Sequence, residues 1–240
     1  MARLKSYALR THQGPFLRAN EDRQIVDLSH QLYLMADGLG GNGIGDYFAN
    51  LATDSIQKFY TRLSTDPNAT RPFYYSDRFL LEGNALINAF YYAHDLICQE
   101  NERRALAQRG ACSVIGMAGS EHYLSLVGIG NLAAYLWRGQ KMHPLLLPET
   151  AWPSAVGGMV LPSNALGLYK DLQLQPQEIQ LQDGDLVVAL SDGVYGQIMS
   201  DEIAYILRSD YSLGKKIDWL FTLANDRGNK DNQSTILLQY

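Results

Sequence analysis

The 240-residue sequence has only two cysteines and no run of apolar residues long enough to cross a bilayer. Two cysteines, Cys98 and Cys112, are too few for a disulfide framework or a thiolate zinc site. A membrane helix needs about 20 consecutive apolar residues, and the start of the chain lacks the apolar segment and cleavage site of a secretory signal. These absences predict a cytoplasmic protein that does not enter a membrane.

Basic residues are also scarce, since 20 Lys and Arg stand against 25 Asp and Glu, for a net charge of −5. Nucleic-acid phosphates are bound by clustered Lys and Arg, so this balance argues against a nucleic-acid partner. It also argues against attraction to anionic membranes. Apolar residues make up 46% of the chain, which is enough for the core of a single domain over residues 1–240.

The hydrophobic pattern predicts an α+β fold. Apolar residues recur at steps of three and four from Ile44 to Leu63, and again from Leu86 to Ile97, which predicts two long helices. Shorter helices are predicted at 200–208 and 217–224, and strands at 23–27, 32–36, 111–118, 123–129, 133–137, 141–146, 187–190 and 234–239. The strands come in runs and the helices in pairs, without the alternation that is typical of a parallel sheet.

One stretch between the predicted elements is rich in proline. Five of the eight prolines lie between Pro144 and Pro176. Proline removes a backbone donor and favours irregular surface segments. We therefore predict an irregular, flap-like loop at about 143–166.

Three aspartates share one local design. Asp37 follows an apolar run and precedes Gly38, Asp192 follows another and precedes Gly193, and Asp231 stands just before the last strand. A carboxylate at a strand end can project past the sheet edge, and a neighbouring glycine lets the backbone carbonyl approach the same point. Oxygen ligands of this kind suit Mg²⁺ and Mn²⁺. A single Asp-Gly is more often a turn, so the prediction of a metal site rests on the ordered set.

Four short motifs occur in order along the chain: Asn20-Glu21-Asp22, Asp37-Gly38-Leu39-Gly40-Gly41, Ser191-Asp192-Gly193-Val194 and Asp231-Asn232-Gln233-Ser234-Thr235. Their order and spacing resemble the type 2C metal-dependent protein phosphatases, the PPM family, and the resemblance runs through nearly the whole chain. It implies a central antiparallel β-sandwich flanked on both sides by antiparallel α-helix pairs, which agrees with the α+β pattern.

The resemblance implies a centre of two Mn²⁺ or Mg²⁺ ions. Asp37 would bridge both ions, and the Gly38 carbonyl would bind one of them. Asp192 and Asp231 would complete the shell of the other ion. The acidic pair that would hold metal-bound water, or lie just behind it, is Glu21 and Asp22.

The implied activity is hydrolysis of phosphoserine and phosphothreonine in proteins by a hydroxide that bridges the two ions, without a phosphoenzyme. The sequence agrees with this, because it has no GxSxG or Cys-x5-Arg nucleophile motif. The implied partners are a phosphorylated protein substrate and a Ser/Thr kinase of opposite action.

The resemblance is incomplete at the residue expected to hold the substrate phosphate. Arg18 is the candidate, because a guanidinium fork matches two phosphoryl oxygens. Relatives usually place two residues between this arginine and the Asn-Glu-Asp motif, whereas here Ala19 alone separates them. The predicted clamp is therefore shifted.

A second departure concerns a third metal ion. Family members commonly have Gly-Asp-Ser-Arg where this chain has Gly130-Asn131-Leu132-Ala133, and that aspartate serves a third metal site. A neutral amide binds a hard dication less well than a carboxylate does. A third ion is therefore doubtful, while the two-metal core is kept.

Two alternatives stay open at this point. The segment from Gly38 to Gly43 also spells GxGxxG, the dinucleotide-binding fingerprint, but a second strand should follow its helix closely, and a polar loop and another helix follow instead. The other alternative is a catalytically weak or inactive relative that binds phosphoproteins as a regulatory module. The three retained core aspartates argue against it.

Overall fold

The computed structural model describes residues 3–40, 43–66, 69–150 and 162–240. Within these ranges it has ten strands: β1 (Ser6–His12), β2 (Asp22–Asp27), β3 (Leu32–Leu39), β4 (Ala111–Gly119), β5 (Tyr123–Ile129), β6 (Ala133–Arg138), β7 (Lys141–Leu146), β8 (Gln175–Gln180), β9 (Leu186–Leu190) and β10 (Gln233–Gln239). The same ranges contain five α-helices: α1 (Ile44–Ser64), α2 (Leu81–Glu102), α3 (Asp192–Tyr195), α4 (Ser200–Arg208) and α5 (Leu213–Asp226). A 3₁₀ turn lies at Leu106–Gln108.

The strands form two five-stranded sheets, in the orders β1-β10-β9-β6-β7 and β2-β3-β4-β5-β8. Every ladder between neighbouring strands is antiparallel. The inner faces of the two sheets meet in one apolar cluster, to which Met35 and Ile115 contribute from one sheet and Ile236 and Leu238 from the other. The fold is therefore a β-sandwich.

Side-chain alternation along β3 explains how one strand serves two hydrophobic cores. Tyr33 and Met35 face the sandwich interior, while Leu32, Leu34 and Ala36 face the opposite way, towards α1 and α2. A strand whose two faces are both covered has a continuous run of apolar residues, and residues 32–36 form such a run. The residue that continues the inward-facing set beyond Met35 is Asp37, at the end of the sandwich interior.

Helices cover both outer faces of the sandwich. Helices α1 and α2 pack on each other and on the β2–β8 sheet through residues such as Phe48, Ile56 and Phe90. Helices α3, α4 and α5 cover the other sheet, where Ile203 and Leu220 pack against β9 and β10. The predicted α+β sandwich with flanking helices is confirmed. No helix in the described part of the chain is both long and apolar enough to cross a membrane.

The proline-rich loop predicted at about 143–166 has its central part, residues 151–161, outside the described residues. Its two ends are held together, because Thr150 bridges Pro162 and Ser163 N donates to Glu149 O at 2.8 Å. Residues 143–146 belong to strand β7 and pair with β6. The irregular part therefore begins later than predicted.

Three elements were missed by the sequence analysis, namely β1, β8 and α3. Strands β1 and β8 are edge strands, and they contain too few apolar residues to give a clear signal, as the half-exposed Gln175–Gln180 shows. The dinucleotide-binding interpretation of Gly38–Gly43 is wrong, because α1 leads to a second helix and then to the antiparallel β4 rather than to a parallel strand. Residues 41 and 42 of that segment lie outside the described residues.

Candidate metal centre

The first two carboxylates are placed by the hairpin of β2 and β3. Asp22 is the direct cross-strand partner of Asp37, so both side chains lie on the same face of the sheet. Asp22 is 7% exposed, and Asp37 is half-buried. Since Asp37 continues the inward-facing set of β3, both carboxylates lie at the end of the sandwich interior, between the two sheets.

The other two carboxylates come from the opposite sheet. Asp192 is the first residue of α3, separated from β9 by Ser191, and Asp231 lies in the turn before β10. The turn is held by Asn229, whose amide donates to Asp231 O at 2.8 Å and whose oxygen accepts from Asp231 N at 3.1 Å. At Gly193 a side chain would collide with the Asn232 carbonyl, so the glycine permits the close approach of the two motifs.

These four side chains form one electrostatic unit. Burial raises the pKa of Asp22 to about 7, and the charge of Asp231 adds to this effect. Burial also raises the pKa of Asp37 and of Asp192 well above the usual range, and the neighbouring carboxylates raise both further. Burial raises the pKa of Asp231 as well. No ion pair in the described ranges includes any of the four, so the site holds acids without a protein cation.

The chemistry of this cluster fits a divalent cation. Its donors are oxygen atoms, and two buried polar atoms, Asp22 Oδ2 and Asn131 Oδ1, have no hydrogen-bond partner. As the side chains stand, no three His, Cys, Asp or Glu residues in the described part of the chain form a set that could hold a metal ion. Carboxylates that share a site repel one another, and a divalent cation between them would offset that repulsion.

The Gly38 carbonyl and Glu21 lie beside this cluster, at the start of α1. Glu21 Oε1 accepts from Gly43 N at 2.8 Å, and Glu21 O accepts from Gly38 N at 3.1 Å. A side chain at Gly45 would collide with both the Gly38 carbonyl and the Glu21 carboxylate. In this structure the Glu21 carboxylate therefore binds the backbone at the N-terminal end of α1.

Asn131 contacts the cluster directly. Its Nδ2 donates to Asp192 Oδ2 at 2.8 Å, and its amide lowers the pKa of both Asp192 and Asp37 against the effect of burial. Its backbone is held by Tyr195, whose hydroxyl donates to Asn131 O, and by Ser113 Oγ, which accepts from Asn131 N at 3.3 Å. The amide thus gives Asp192 a hydrogen-bond donor where a carboxylate would repel it.

Arg18 forms no ion pair with the carboxylates in the described part of the chain. It is exposed, and it has no hydrogen bond or ion pair among the described residues. It lies in the loop between β1 and β2, where Ala19 alone separates it from the Asn-Glu-Asp motif. The structure therefore puts Arg18 on the chain segment that leads into the site, with its guanidinium unengaged.

Two residues near the site were missed by the sequence analysis. Gly45 had one available signal, since a glycine in the first turn of a long helix is a poor helix former and calls for a packing reason. Tyr195 had none, because its contact with Asn131 joins positions 64 residues apart in sequence. Burial, with the charges of Asp192 and Asp37, raises the pKa of Tyr195, so it remains a hydrogen-bond donor there.

Curated proteins similar to this chain are bacterial phosphatases. The serine/threonine phosphatase stp of Listeria monocytogenes serotype 4b is 21% identical over 246 residues, covering 96% of this chain and 94% of that protein. The protein phosphatase PhpP of Streptococcus pneumoniae is 24% identical over 230 residues, covering 86% and 85%. No family model matches the chain.

Solved structures with the same fold carry similar names. The serine/threonine phosphatase PstP/Ppp of Mycobacterium tuberculosis superposes with a TM-score of 0.79 at 19% identity, covering 98% of this chain and 97% of that one. Stp1 of Staphylococcus aureus gives 0.81 at 18% identity, covering 100% and 96%. A PstP catalytic domain in complex with two manganese ions gives 0.78 at 18% identity, covering 98% and 97%. The predicted resemblance is thereby confirmed: over nearly its whole length this chain is similar in sequence to named bacterial serine/threonine phosphatases, and it has the fold of the solved ones.

Proposed function

We propose that this chain is a metal-dependent serine/threonine phosphoprotein phosphatase that hydrolyses phosphomonoesters. The observation that carries the proposal is the group of four aspartates at the end of the sandwich, which share a buried site without a protein cation. The similarity to named phosphatases over nearly the whole chain supports it.

We propose two divalent cations as the cofactor, with Asp37, Asp192 and Asp231 as direct ligands. The Gly38 carbonyl would be a further ligand on one ion, and the acidic pair behind the metal-bound water would be Glu21 and Asp22. When bound, the ions would supply a nucleophile at neutral pH and offset charge on the phosphoryl group. The two manganese ions in the PstP complex support Mn²⁺ for that relative, and Mg²⁺ has the same preference for oxygen ligands.

The chain's own residues would orient the reactants. Arg18 is the proposed clamp for the substrate phosphate, since its guanidinium is free to bind two phosphoryl oxygens. The Asn131 amide holds Asp192 through the 2.8 Å hydrogen bond and favours its ionised form. We propose no third ion, because Asn131 presents a donor to Asp192 instead of a second carboxylate.

We propose one catalytic domain over residues 1–240 and a phosphorylated protein as substrate, with a Ser/Thr kinase that adds the phosphate. A cytoplasmic location is supported by the two free cysteines, Cys98 and Cys112. The alternative of an inactive phosphoprotein-binding module is not favoured, since the relatives are named as phosphatases.

The test is hydrolysis of p-nitrophenyl phosphate and of a phosphothreonine peptide with Mn²⁺, with Mg²⁺ and with EDTA. We expect activity with the metal ions and none with EDTA. The Asp37→Asn variant should lose activity by at least about 100-fold while it stays folded, because a charged ligand is removed from the electrostatic centre. The control is Asp183→Asn, at an exposed aspartate paired with Lys5. Equal activity of Asp37→Asn and wild type would reject the metal assignment.

A further inference from the structure

Asn232 makes three long-range hydrogen bonds to one segment of the chain. Its Nδ2 donates to Gln13 O at 2.7 Å and to Ala19 O at 3.1 Å, and its Oδ1 accepts from Glu21 N at 2.8 Å. The side chain is 4% exposed. One buried amide therefore binds both ends of the loop at 13–19.

This loop has few other attachments. Its remaining hydrogen bonds in the described part of the chain are local, from Gln13 Nε2 to Leu17 O and from Gly14 N to His12 Nδ1. The ladder between β1 and β10 ends at His12. Asn232 is thus the side chain that ties the loop to the body of the protein, and the loop carries Arg18 near its end.

The same amide also lies next to a proposed metal ligand. Asn232 follows Asp231 directly, and its backbone N–H donates to Asp231 Oδ1 at 2.8 Å. One residue therefore links the turn that carries Asp231, the loop that carries Arg18, and the backbone that leads into Asp22.

We propose that Asn232 is a positioning residue that holds the Arg18 loop against the carboxylate centre, so that the guanidinium meets the substrate phosphate. This inference rests on the proposed function. An amide is required, because both carbonyl oxygens need a donor and the Glu21 N–H needs an acceptor. Aspartate at position 232 keeps the acceptor, loses both donations and places a negative charge beside two carbonyl oxygens.

Limited proteolysis tests the positioning without any activity. Trypsin can cut after the exposed Arg18, and the Asn232→Asp variant should be cut there about tenfold faster than wild type, because two hydrogen bonds that hold the loop are lost. The neutral variants Asn232→Ala and Asn232→Ser should show the same direction, and Asn232→Ser carries the test if the others do not fold. An unchanged rate of cleavage at Arg18 in these folded variants overturns the inference.

A matched control is Asn88 on α2. Its amide is also buried and pins a different loop, since Nδ2 donates to Tyr74 O at 2.7 Å and Oδ1 accepts from Phe73 N at 3.0 Å. Asn88→Asp should expose the 72–75 segment to chymotrypsin and leave tryptic cleavage at Arg18 unchanged. Faster cleavage at Arg18 in the control would mean that any loosening of the fold exposes this loop, and would also overturn the inference.

Kinetics then test the link to Arg18. Asn232→Ala should raise KM for a phosphothreonine peptide about tenfold with a smaller change in kcat, and should add little further in an Arg18→Ala background. Fully additive effects on KM would reject a role through Arg18. A wild-type protein that is inactive with Mn²⁺ would reject the proposed function, and the proteolysis would still decide whether Asn232 holds the loop.

Discussion

The Asp22→Asn substitution tests whether the carboxylate cluster destabilises the metal-free fold. Without a metal ion, the folded chain must keep Asp22 either protonated or charged in a buried site beside Asp231. Burial raises the pKa of Asp22 from 3.8 to about 7. A carboxyl group whose folded pKa is raised stabilises the fold at low pH, and this contribution is lost as the pH rises from about 4 to about 7.

The size of the effect follows from that shift. A difference of about three pKa units corresponds to about 4 kcal/mol, at about 1.36 kcal/mol per unit. Protonation of one carboxyl group also reduces the repulsion that raises the pKa of its neighbours. Replacing Asp22 alone by a neutral residue therefore recovers only part of this free energy. We expect the Asp22→Asn variant to be about 2 kcal/mol more stable than wild type at pH 8 in EDTA, which is about 4–8 °C in Tm for a chain of this length.

The assay is thermal and urea unfolding of both proteins at pH 5 and pH 8, with EDTA or with Mn²⁺. The stability difference should be smaller at pH 5 than at pH 8, because only part of the contribution is lost between about pH 4 and pH 5. Mn²⁺ should stabilise wild type more than the variant. The control is Asp185→Asn, which breaks a buried ion pair with Arg138 and should destabilise the protein at pH 8 in both media. A variant less stable than wild type at pH 8 in EDTA would refute the reasoning.

Three further predictions follow from the same site. Arg18→Ala should raise KM for phosphate substrates about tenfold with little change in kcat, and an unchanged KM would show that Arg18 is not the clamp. Asn131→Asp adds an oxygen ligand beside Asp192, and titration calorimetry should then find one more Mn²⁺ bound per chain than in wild type. Mn²⁺ binding at pH 7 should release protons, because the raised pKa values of Asp22 and Asp37 leave the metal-free site partly protonated. Calorimetry in buffers of different ionisation enthalpy measures that release, and its absence would contradict the pKa shifts.

The buried strands and long helices could be predicted from sequence because their apolar periodicity is strong. The runs at 32–36 and 187–190 lie in interior strands of the two sheets, and the helix beginning at Ile44 starts where its pattern does. The edge strand β8 could not be found, since only Ile179 is buried along its six residues. Edge strands depend on pairing with a neighbour rather than on their own burial.

The sequence could point to the aspartates, because each lies in its own motif near a strand end. It could not predict the hydrogen bonds between residues of the candidate site, because those bonds join distant positions. The bond from Asn131 to Asp192 spans 61 residues and that from Asn232 to Gln13 spans 219. Such amides look like ordinary turn residues in a sequence, and only the packing of the two sheets shows what each one binds.

The stability cost of the cluster bears on the choice between an enzyme and an inactive binding module. Asp22, Asp37, Asp192 and Asp231 destabilise the metal-free fold at neutral pH, because burial and mutual repulsion disfavour their charged forms. A module that used this end of the sandwich only as a scaffold would be more stable with asparagine at any of these positions. On the proposed function, a cation would turn the same four charges from a cost into ligands, which favours an enzyme over a scaffold.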